Sequence, residues 1–362
     1  MNKVQNEKRK AKSYKKILII RLDRIGDVVL STPVLKAVRD AYPDSHIAFM
    51  VAPHAKDIAE GNPYINEVIV YDKTRAHKGA LEGAKFIAGL ARKRFDIAIM
   101  LHPTRRTHLL AFLSGIPKRL GYERKMGLIL TDKIPDKKHL GLKHEIDYTL
   151  GLLRYIGIET KDRKLHVPID KTSEDRVGRI LADAGIKDSD RIVAINPGAS
   201  CRSKRWPVGR FAEAADSLAR ELGVKIVIVS GSQDKCFADQ TASRMNTKAL
   251  NLSGMTTVRE LACLLKRSSL FISNDSGPVH IACAMGTPVI SIFGRSDRGL
   301  SPRRWGPTNK TDRTMHKHVG CDICLAHNCK AELKCLAAIT ADEVVNNARE
   351  MLSEEGDFSG KK

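Results

Sequence analysis

Apolar, mostly β-branched runs alternate with amphipathic stretches along the chain. In the first half the runs KKILIIRL, HIAFMVA, EVIVYD and DIAIML are typical of buried strands. Between them, helical spacing predicts helices over 28–43, 54–61, 79–94 and 105–115, the first ending at Pro43. This alternation predicts parallel βαβ units in a sheet that is covered on both faces.

The second half repeats the pattern. RIVAINPGA, VKIVIVSG, LFISNDS and PVISIFG predict strands, with helices near 174–185, 208–223, 234–246, 258–269 and 278–286. The helix-like HEIDYTLGLLRYIGI and the connector KLHVPIDKTSED separate the halves. We therefore predict an α/β fold of two doubly wound, Rossmann-like domains, 16–168 and 169–338, facing a central cleft, with a helix and tail over 339–362.

Composition narrows the class of protein. A length of 362 residues fits two domains, and a hydrophobic content of 42% excludes a wholly disordered chain. We see no secretion signal and no apolar run near the ~20 residues that span a bilayer, so the eight cysteines predict reduced thiols and a cytoplasmic location.

The net charge of +21 requires an anionic partner, either nucleic acid, an acidic lipid surface or a phosphorylated substrate. Part of this charge lies in residues 1–15, which we interpret as a basic flexible arm. Nucleic acid is disfavoured, because the basic residues lack aromatic interleaving and no recognised binding module is apparent.

Two strand-end features in the first half are candidates for chemistry. Gly26 and Asp27 follow the first strand, where Asp27 either caps the next helix or acts as a catalytic carboxylate. Arg24, Arg105 and Arg106 lie on or near strand-end loops and either bind acceptor phosphates or are simply solvated. G-x-G-x-x-G is absent, which argues against an NAD-dependent oxidoreductase.

Two loops in the second half suit a phosphorylated ligand. NPGASCRSKRWP (196–207) combines small residues with Lys204, so it is either a diphosphate site or a basic turn. SNDSGPVH (273–280) ends a strand and starts a helix, where Asp275, Ser276 and free amides can hold a ribose or phosphate. His280 is either a structural hydrogen-bonder or a ligand contact.

A cysteine cluster lies near the end of the chain. Cys321, Cys324, Cys329 and Cys335 fall within fifteen residues, and only the first pair has Cys-x-x-Cys spacing. A structural metal site, a disulfide and inert thiols all remain open. The cluster receives no catalytic role.

Taken together, RIGDVVLSTPVLKAVRDAYP, NPGAS…KRWP and SNDSGPVHIACAMGTPVISIFG resemble the ADP-heptose:lipopolysaccharide heptosyltransferase family, glycosyltransferase family 9, in order over about residues 16–352. The cysteine cluster also resembles one seen in many members. The resemblance implies a GT-B fold whose last helix packs back on the first domain. It further implies inverting transfer of a heptose from ADP-heptose to the lipopolysaccharide inner core.

Carried over residue by residue, the resemblance makes Asp27, after Gly26, the general base and Lys204 the contact to the donor phosphates. The donor motif falls on Asp275, Ser276, Gly277 and His280, and Ser200 matches a hydroxyl position. Two positions depart from the pattern. Cys201 stands where some members have a second hydroxyl, and Asp234 is the nearest carboxylate to a position where many have Glu.

This interpretation needs no cofactor beyond the donor substrate. No carboxylate cluster resembles a Mg²⁺ site, so we predict a metal-independent enzyme at the cytoplasmic face of the inner membrane, attracted to anionic lipid. The alternatives are a nucleotide-sugar epimerase of GT-B fold, a sugar-nucleotide binder without activity and, disfavoured, a nucleic-acid-binding protein.

Overall fold

The structure is a computed structural model that describes residues 13–321, 324 and 326–358, with side chains to 353. It divides into two compact units. The first contains the chain up to Lys138 together with Glu145–Pro168, and the second contains His139–His144 and the chain from Ile169 onward.

The first unit is built on a parallel sheet of six strands in the order β3-β2-β1-β4-β5-β6. The strands are β1 (Lys16–Arg21), β2 (His46–Val51), β3 (Glu67–Val70), β4 (Ile97–Met100), β5 (Lys118–Glu123) and β6 (Asp132–Pro135). β1 is central because its apolar run is buried on both faces, and Ile20 pairs in register with Met50 and Met100.

Helices connect these strands. They are α1 (Ile25–Val29), α2 (Thr32–Ala41), α3 (Lys56–Ala59), α4 (Ala80–Arg92), α5 (Arg105–Leu113) and α6 (Glu145–Leu153). The single helix predicted over 28–43 is two helices. Pro33 has no N–H to donate, and it lies in the first turn of α2, where none is needed.

The second unit repeats the same topology, with strand order β12-β11-β10-β7-β8-β9. Its strands are β7 (Ile192–Asn196), β8 (Lys225–Ile228), β9 (Ala249–Asn251), β10 (Leu270–Asn274), β11 (Val289–Phe293) and β12 (Arg313–His316). Its helices are α7 (Lys171–Asp183), α8 (Val208–Leu222), α9 (Lys235–Ala242), α10 (Val258–Lys266), α11 (Gly277–Met285), α12 (Pro302–Trp305), α13 (Lys334–Ala337) and α14 (Ala341–Phe358).

The last helix is part of the second unit. Its buried residues Val344, Ala348 and Leu352 belong to the core of that unit, together with Phe211 of α8. The amphipathic stripe of α14 therefore completes the core of the second unit. The packing of this helix on the first domain stays a prediction.

The last residues of the predicted arm are packed against the first unit. Residues 1–12 lie outside the described part of the chain, but Tyr14 is buried and its ring meets Tyr42 edge-on at 5.7 Å between centroids. The backbone N–H groups of Lys15 and Lys16 donate to Asp96. Ordered structure therefore begins before β1.

In both sheets the strand order reverses beside the first strand, between β1 and β4 and between β7 and β10. Ligands of open parallel sheets bind outside the carboxyl ends of the strands at such switch points. The two switch points are therefore where a site is expected. Within the described residues, no helix has the length and apolar content needed to cross a membrane.

Candidate active site

A buried arginine organises the switch point of the first sheet. Arg21 is the last residue of β1, only 1% exposed, and its three nitrogens face three carboxylates. Nη2 donates to Asp27 Oδ1 at 2.8 Å, Nε lies 2.9 Å from Asp23 Oδ2, and Nη1 lies 3.1 Å from Glu145 Oε1. Burial of the guanidinium is tolerated because each nitrogen meets a negative charge.

Asp27 lies in the first turn of α1, and its side chain is 19% exposed. The helix-capping alternative is wrong, because Arg24 is the N-cap residue and the Asp27 carboxylate binds Arg21 instead. Burial raises the pKa of Asp27 above its usual value, Arg21 opposes this, and Asp23 and Glu145 add to it. A carboxylate with raised proton affinity and an open side is suited to accept a proton.

A second buried ion pair, between Lys138 and Glu145, adjoins this cluster. Lys138 Nζ donates to Glu145 Oε1 at 2.8 Å and to the carbonyl of Leu101 at 3.3 Å. Its ammonium also lies 4.6 Å from the centre of the Tyr122 ring. His102, whose Nδ1 is 3.4 Å from Asp23, has a pKa lowered by burial to about 4 and is neutral at pH 7.

The three arginines proposed for the acceptor are exposed in the structure. Arg24 is at the start of α1, and Arg105 and Arg106 open α5, whose N-terminus is closed by a capping box between Thr104 and Thr107. Because α1 follows β1 and α5 follows β4, these side chains arise at the carboxyl ends of neighbouring strands.

In the second unit, the loop after β7, residues 197–207, is the candidate phosphate loop, and buried amides hold it. Asn196 donates to Ser276 Oγ at 3.0 Å and accepts from the Gly198 N–H at 3.1 Å. Asn274 donates to the carbonyl of Pro197, and the Trp206 N–H donates to Asn274 at 2.9 Å. Gly198 is required by close approach, since a Cβ there would lie 2.7 Å from Cβ of Asp234. The hydrogen bonds of Asn196 and Asn274 and the close approach of Asp234 therefore fix the position of the loop.

Two cations converge on one carboxylate at this switch point. Asp275 Oδ2 lies 3.0 Å from Lys204 Nζ and 2.7 Å from Arg295 Nη2. Lys204 also donates to the carbonyl of Asp275 at 3.1 Å, so the described contacts use two of its three N–H donors. The trio carries one net positive charge, which suits an anionic ligand.

The predicted donor motif surrounds the N-terminus of α11. Ser276 is its N-cap residue and Gly277 its first residue, and the first-turn amides of a helix point outward to an acceptor. His280 is 4% exposed, and among the described residues its Nδ1 has no hydrogen-bond partner. Burial lowers the pKa of His280 to about 3, so the imidazole is neutral at pH 7.

The remaining loop residues differ in their surroundings. Ser200 is exposed at the turn of the loop, and Cys201 Sγ lies 3.4 Å from Ser203 Oγ. Asp234 Oδ1 lies 3.6 Å from Arg205 Nη2, and burial raises the pKa of Asp234. Asp234 thus contacts the phosphate loop at two places, through its ion pair with Arg205 and through its close approach to Gly198.

The four clustered cysteines line one cavity of about 290 Å³. Ser203 of the phosphate loop and Gly294, after β11, line the same cavity, and Cys335 Sγ donates to the Gly294 carbonyl at 2.7 Å. No disulfide joins any of the cysteines in the part of the chain that the structure describes. In the described ranges no group of three or more His, Cys, Asp or Glu is arranged to hold a metal ion. The four thiols therefore share one cavity beside the loop after β7.

Sequence reasoning missed Arg21, Lys138, Glu145 and Arg295. The available signal was a charged residue placed directly at the end of an apolar strand run, as in KILIIR. Glu145 is separated from Arg21 by 124 residues, so only the fold brings them together.

Comparison with known proteins agrees with this geometry. The sequence model described as glycosyltransferase family 9 (heptosyltransferase) matches residues 84–335. Lipopolysaccharide heptosyltransferase 2 of Salmonella typhimurium is 25% identical over 353 residues, covering 94% of this chain and 99% of that protein.

Solved structures are similar over the same extent. A glycosyl transferase family 9 protein from Veillonella parvula has a TM-score of 0.85 at 28% identity, covering 94% of this chain and 98% of the other. ADP-heptose lps heptosyltransferase II of E. coli has a TM-score of 0.77 at 22% identity, covering 94% and 99%. The predicted GT-B fold class and the family resemblance are confirmed, and the chain belongs to glycosyltransferase family 9, the heptosyltransferases.

Proposed function

We propose that this protein is an inverting, metal-independent heptosyltransferase that moves a heptose from ADP-heptose onto the lipopolysaccharide inner core. The observation that carries the proposal is the pairing of family membership with an accessible carboxylate, Asp27, whose proton affinity is raised at the switch point of the first sheet. The choice of lipopolysaccharide and ADP-heptose follows the names of the relatives.

In this proposal Asp27 is the general base. An acceptor hydroxyl is a poor nucleophile at pH 7, and a carboxylate within ~3 Å can remove its proton as the bond to C1 of the heptose forms. A single displacement of this kind inverts the anomeric centre. Gly26, directly before Asp27, is buried in α1.

The leaving ADP gains negative charge as the glycosidic bond breaks. Lys204 and Arg295 supply positive charge at the second switch point, and the N-terminus of α11 adds its amides and dipole. Ser200, Asp275, Ser276, Gly277 and His280 complete the proposed donor site. The protein thus supplies from its own residues the stabilisation of the leaving group.

On the acceptor side, Arg24, Arg105 and Arg106 are proposed to bind inner-core phosphates. Residues 1–12, which contain five Lys or Arg, are proposed to draw the enzyme to the anionic cytoplasmic face of the inner membrane. Nucleic acid has no part in the proposal.

The deciding experiment is transfer in vitro from ADP-heptose onto truncated lipopolysaccharide cores ending in Kdo, in one heptose or in two. Mass spectrometry should show a gain of one heptose on one core, and NMR of the product should show inverted anomeric configuration. A change of the nucleotide sugar without acceptor would favour the epimerase. No product on any core, with a matched heptosyltransferase active in parallel, would contradict the proposal.

A further inference from the structure

The guanidinium of Arg21 is shared between the proposed base and a more deeply buried carboxylate. Nη2 binds Asp27, whose side chain is 19% exposed, whereas Nη1 binds Glu145, which is fully buried. Nη1 also donates to the carbonyl of Leu101 at 3.3 Å, which fixes the plane of the guanidinium. The position of Nη2 is therefore set from the Glu145 side.

Glu145 is in turn held by Lys138. Both cations reach the same oxygen, Glu145 Oε1, at 2.8 Å from Lys138 Nζ and 3.1 Å from Arg21 Nη1. The Lys138 ammonium is enclosed by the rings of Tyr122 and Tyr148, at 4.6 and 5.8 Å from their centres. Rotation of either partner would leave a buried charge without its counter-ion, so the arrangement is rigid.

The charges of this network do not cancel. With every group ionised, Arg21 and Lys138 oppose three carboxylates, Asp23, Asp27 and Glu145, so that the network carries one net negative charge. Protonation of Asp27 makes it neutral. Glu145 is buried and doubly paired, whereas the side chains of Asp23 and Asp27 are 18% and 19% exposed, so the network can take up a proton on the side of these two aspartates.

From this arrangement we infer that Glu145, with Lys138 as its counter-ion, is a positioning residue that acts on Asp27 through Arg21. Glu145 holds the guanidinium in the plane that orients Asp27, and it draws part of the guanidinium charge away from Asp27. Because Asp27 is then incompletely neutralised, it stays basic enough to accept a proton. The inference deepens the proposed function and rests on Asp27 being the base.

The charged and titratable groups around Asp27 come from several elements of the first unit. Arg21 from β1, Asp23 from the following loop and Glu145 from α6 act on Asp27 directly. Three further titratable groups contact those residues: Lys138 binds Glu145, His102 lies beside Asp23, and His54 contacts the Asp23 carbonyl. His102 is neutral near pH 7, so the cations and carboxylates above dominate.

The test is the paired variant Lys138→Met/Glu145→Gln, which removes one positive and one negative charge while nearly preserving volume. Arg21 is then shared only with Asp23 and Asp27. The acidic limb of the pH profile of kcat/KM should move down by about one pH unit, and kcat at the plateau should fall about tenfold. KM for ADP-heptose should stay within twofold, since the donor contacts lie on other residues.

A matched control is Lys133→Met/Glu123→Gln, which removes an exposed ion pair of 2.7 Å from the same unit and should leave both quantities unchanged. An unmoved acidic limb with kcat within twofold of the parent would overturn the inference. Where the paired variant fails to fold, Glu145→Asp decides. It keeps the charge but withdraws it from Arg21, so the limb should move the same way, and an unmoved limb overturns the inference.

Failure of the inference and failure of the proposed function give different results. If Asp27→Asn retains activity, Asp27 is not the base and the proposed mechanism is wrong, whatever the paired variant does. If Asp27→Asn is inactive but the paired variant has the parental pH profile, only the role of Glu145 is wrong.

Discussion

Lys204 and Asp275, which lie 71 residues apart, meet twice, through the Asp275 side chain at 3.0 Å and through its backbone carbonyl at 3.1 Å. The loop after β7 is thereby attached to the loop after β10. Arg295 shares the same carboxylate oxygen, so Asp275 keeps a counter-ion when Lys204 is removed.

Lys204→Met should therefore weaken donor binding without leaving a buried carboxylate unpaired. Loss of one charge-assisted hydrogen bond corresponds to about a 10- to 100-fold increase in the Kd for ADP, measured by calorimetry. Lys225→Met, at the exposed start of β8, is the matched control and should bind ADP normally. Unchanged ADP affinity in Lys204→Met would remove this lysine from the donor site.

Asp27→Asn should lose turnover but keep donor affinity. Loss of a general base costs about 10²- to 10⁴-fold in kcat, whereas the ADP contacts lie on other residues. The measurement is kcat from product formation beside the Kd for ADP. Asp44→Asn, in an exposed turn of the same unit, should behave as the parent. Turnover within threefold of the parent would show that another group takes the proton.

Acid should destabilise the second unit through His280. Burial lowers the folded pKa of His280 to about 3 from an ordinary 6.5, so between these values only the unfolded chain binds this proton. The free energy of unfolding therefore falls as the pH drops below about 6.5, by up to about 1.4 kcal/mol per pH unit for this group.

The variant His280→Gln should reduce the dependence of the free energy of unfolding on pH. Both tryptophans, Trp206 and Trp305, lie in the second unit, so urea unfolding followed by tryptophan fluorescence at pH 7 and pH 5 reports on that unit. The difference between parent and variant isolates His280, because other titrating groups act in both. Equal pH dependence in the two proteins would show that His280 does not enter the folded state as the neutral imidazole.

Gly198→Ala should disturb the phosphate loop. The added Cβ would lie 2.7 Å from Cβ of Asp234 and 3.2 Å from Asn196 Oδ1, so either the phosphate loop or the end of β7 must shift. We expect a loss of about 1–3 kcal/mol in the free energy of unfolding and weaker ADP binding. Gly178→Ala, in an exposed turn of α7 with open space around it, should instead gain up to about 1 kcal/mol. Equal stability changes in both would contradict the close approach.

Removal of residues 1–12 should reduce binding to anionic liposomes at low salt. Each basic residue near such a surface contributes about 1 kcal/mol, and Tyr14 remains to pack on Tyr42. Cosedimentation with anionic and neutral vesicles measures the effect. A full-length variant with the five Lys and Arg of this segment changed to Gln separates charge from length. Unchanged sedimentation with anionic vesicles in both would rule the arm out as a membrane contact.

The sequence pattern was sufficient for the central strands and for the motifs at their ends. β1, β4, β7 and β10 are nearly or fully buried, so their continuous apolar runs predict them directly. Lys204, Asp275 and His280 are local to those strand ends, and the fold brings the first two into contact.

Three of the four edge strands and the buried charges were not predictable in this way. β6 and β12 are half-buried and polar, and β9 has three residues, so none carries a recognisable periodicity. The role of Arg21 depends on partners such as Glu145 that are distant in sequence. Local spacing cannot distinguish a buried, triply paired arginine from a solvated one.

The carboxyl terminus has a larger part in the molecule than its position suggests. The indole N–H of Trp206, at the end of the phosphate loop, donates to the carbonyl of Ile339 at 3.0 Å, directly before α14, which then packs on α8. A premature stop within 341–352 would thus remove a packed helix from the second unit and release the support of the loop after β7. We expect such a truncation to abolish activity, although it removes no candidate residue of the site.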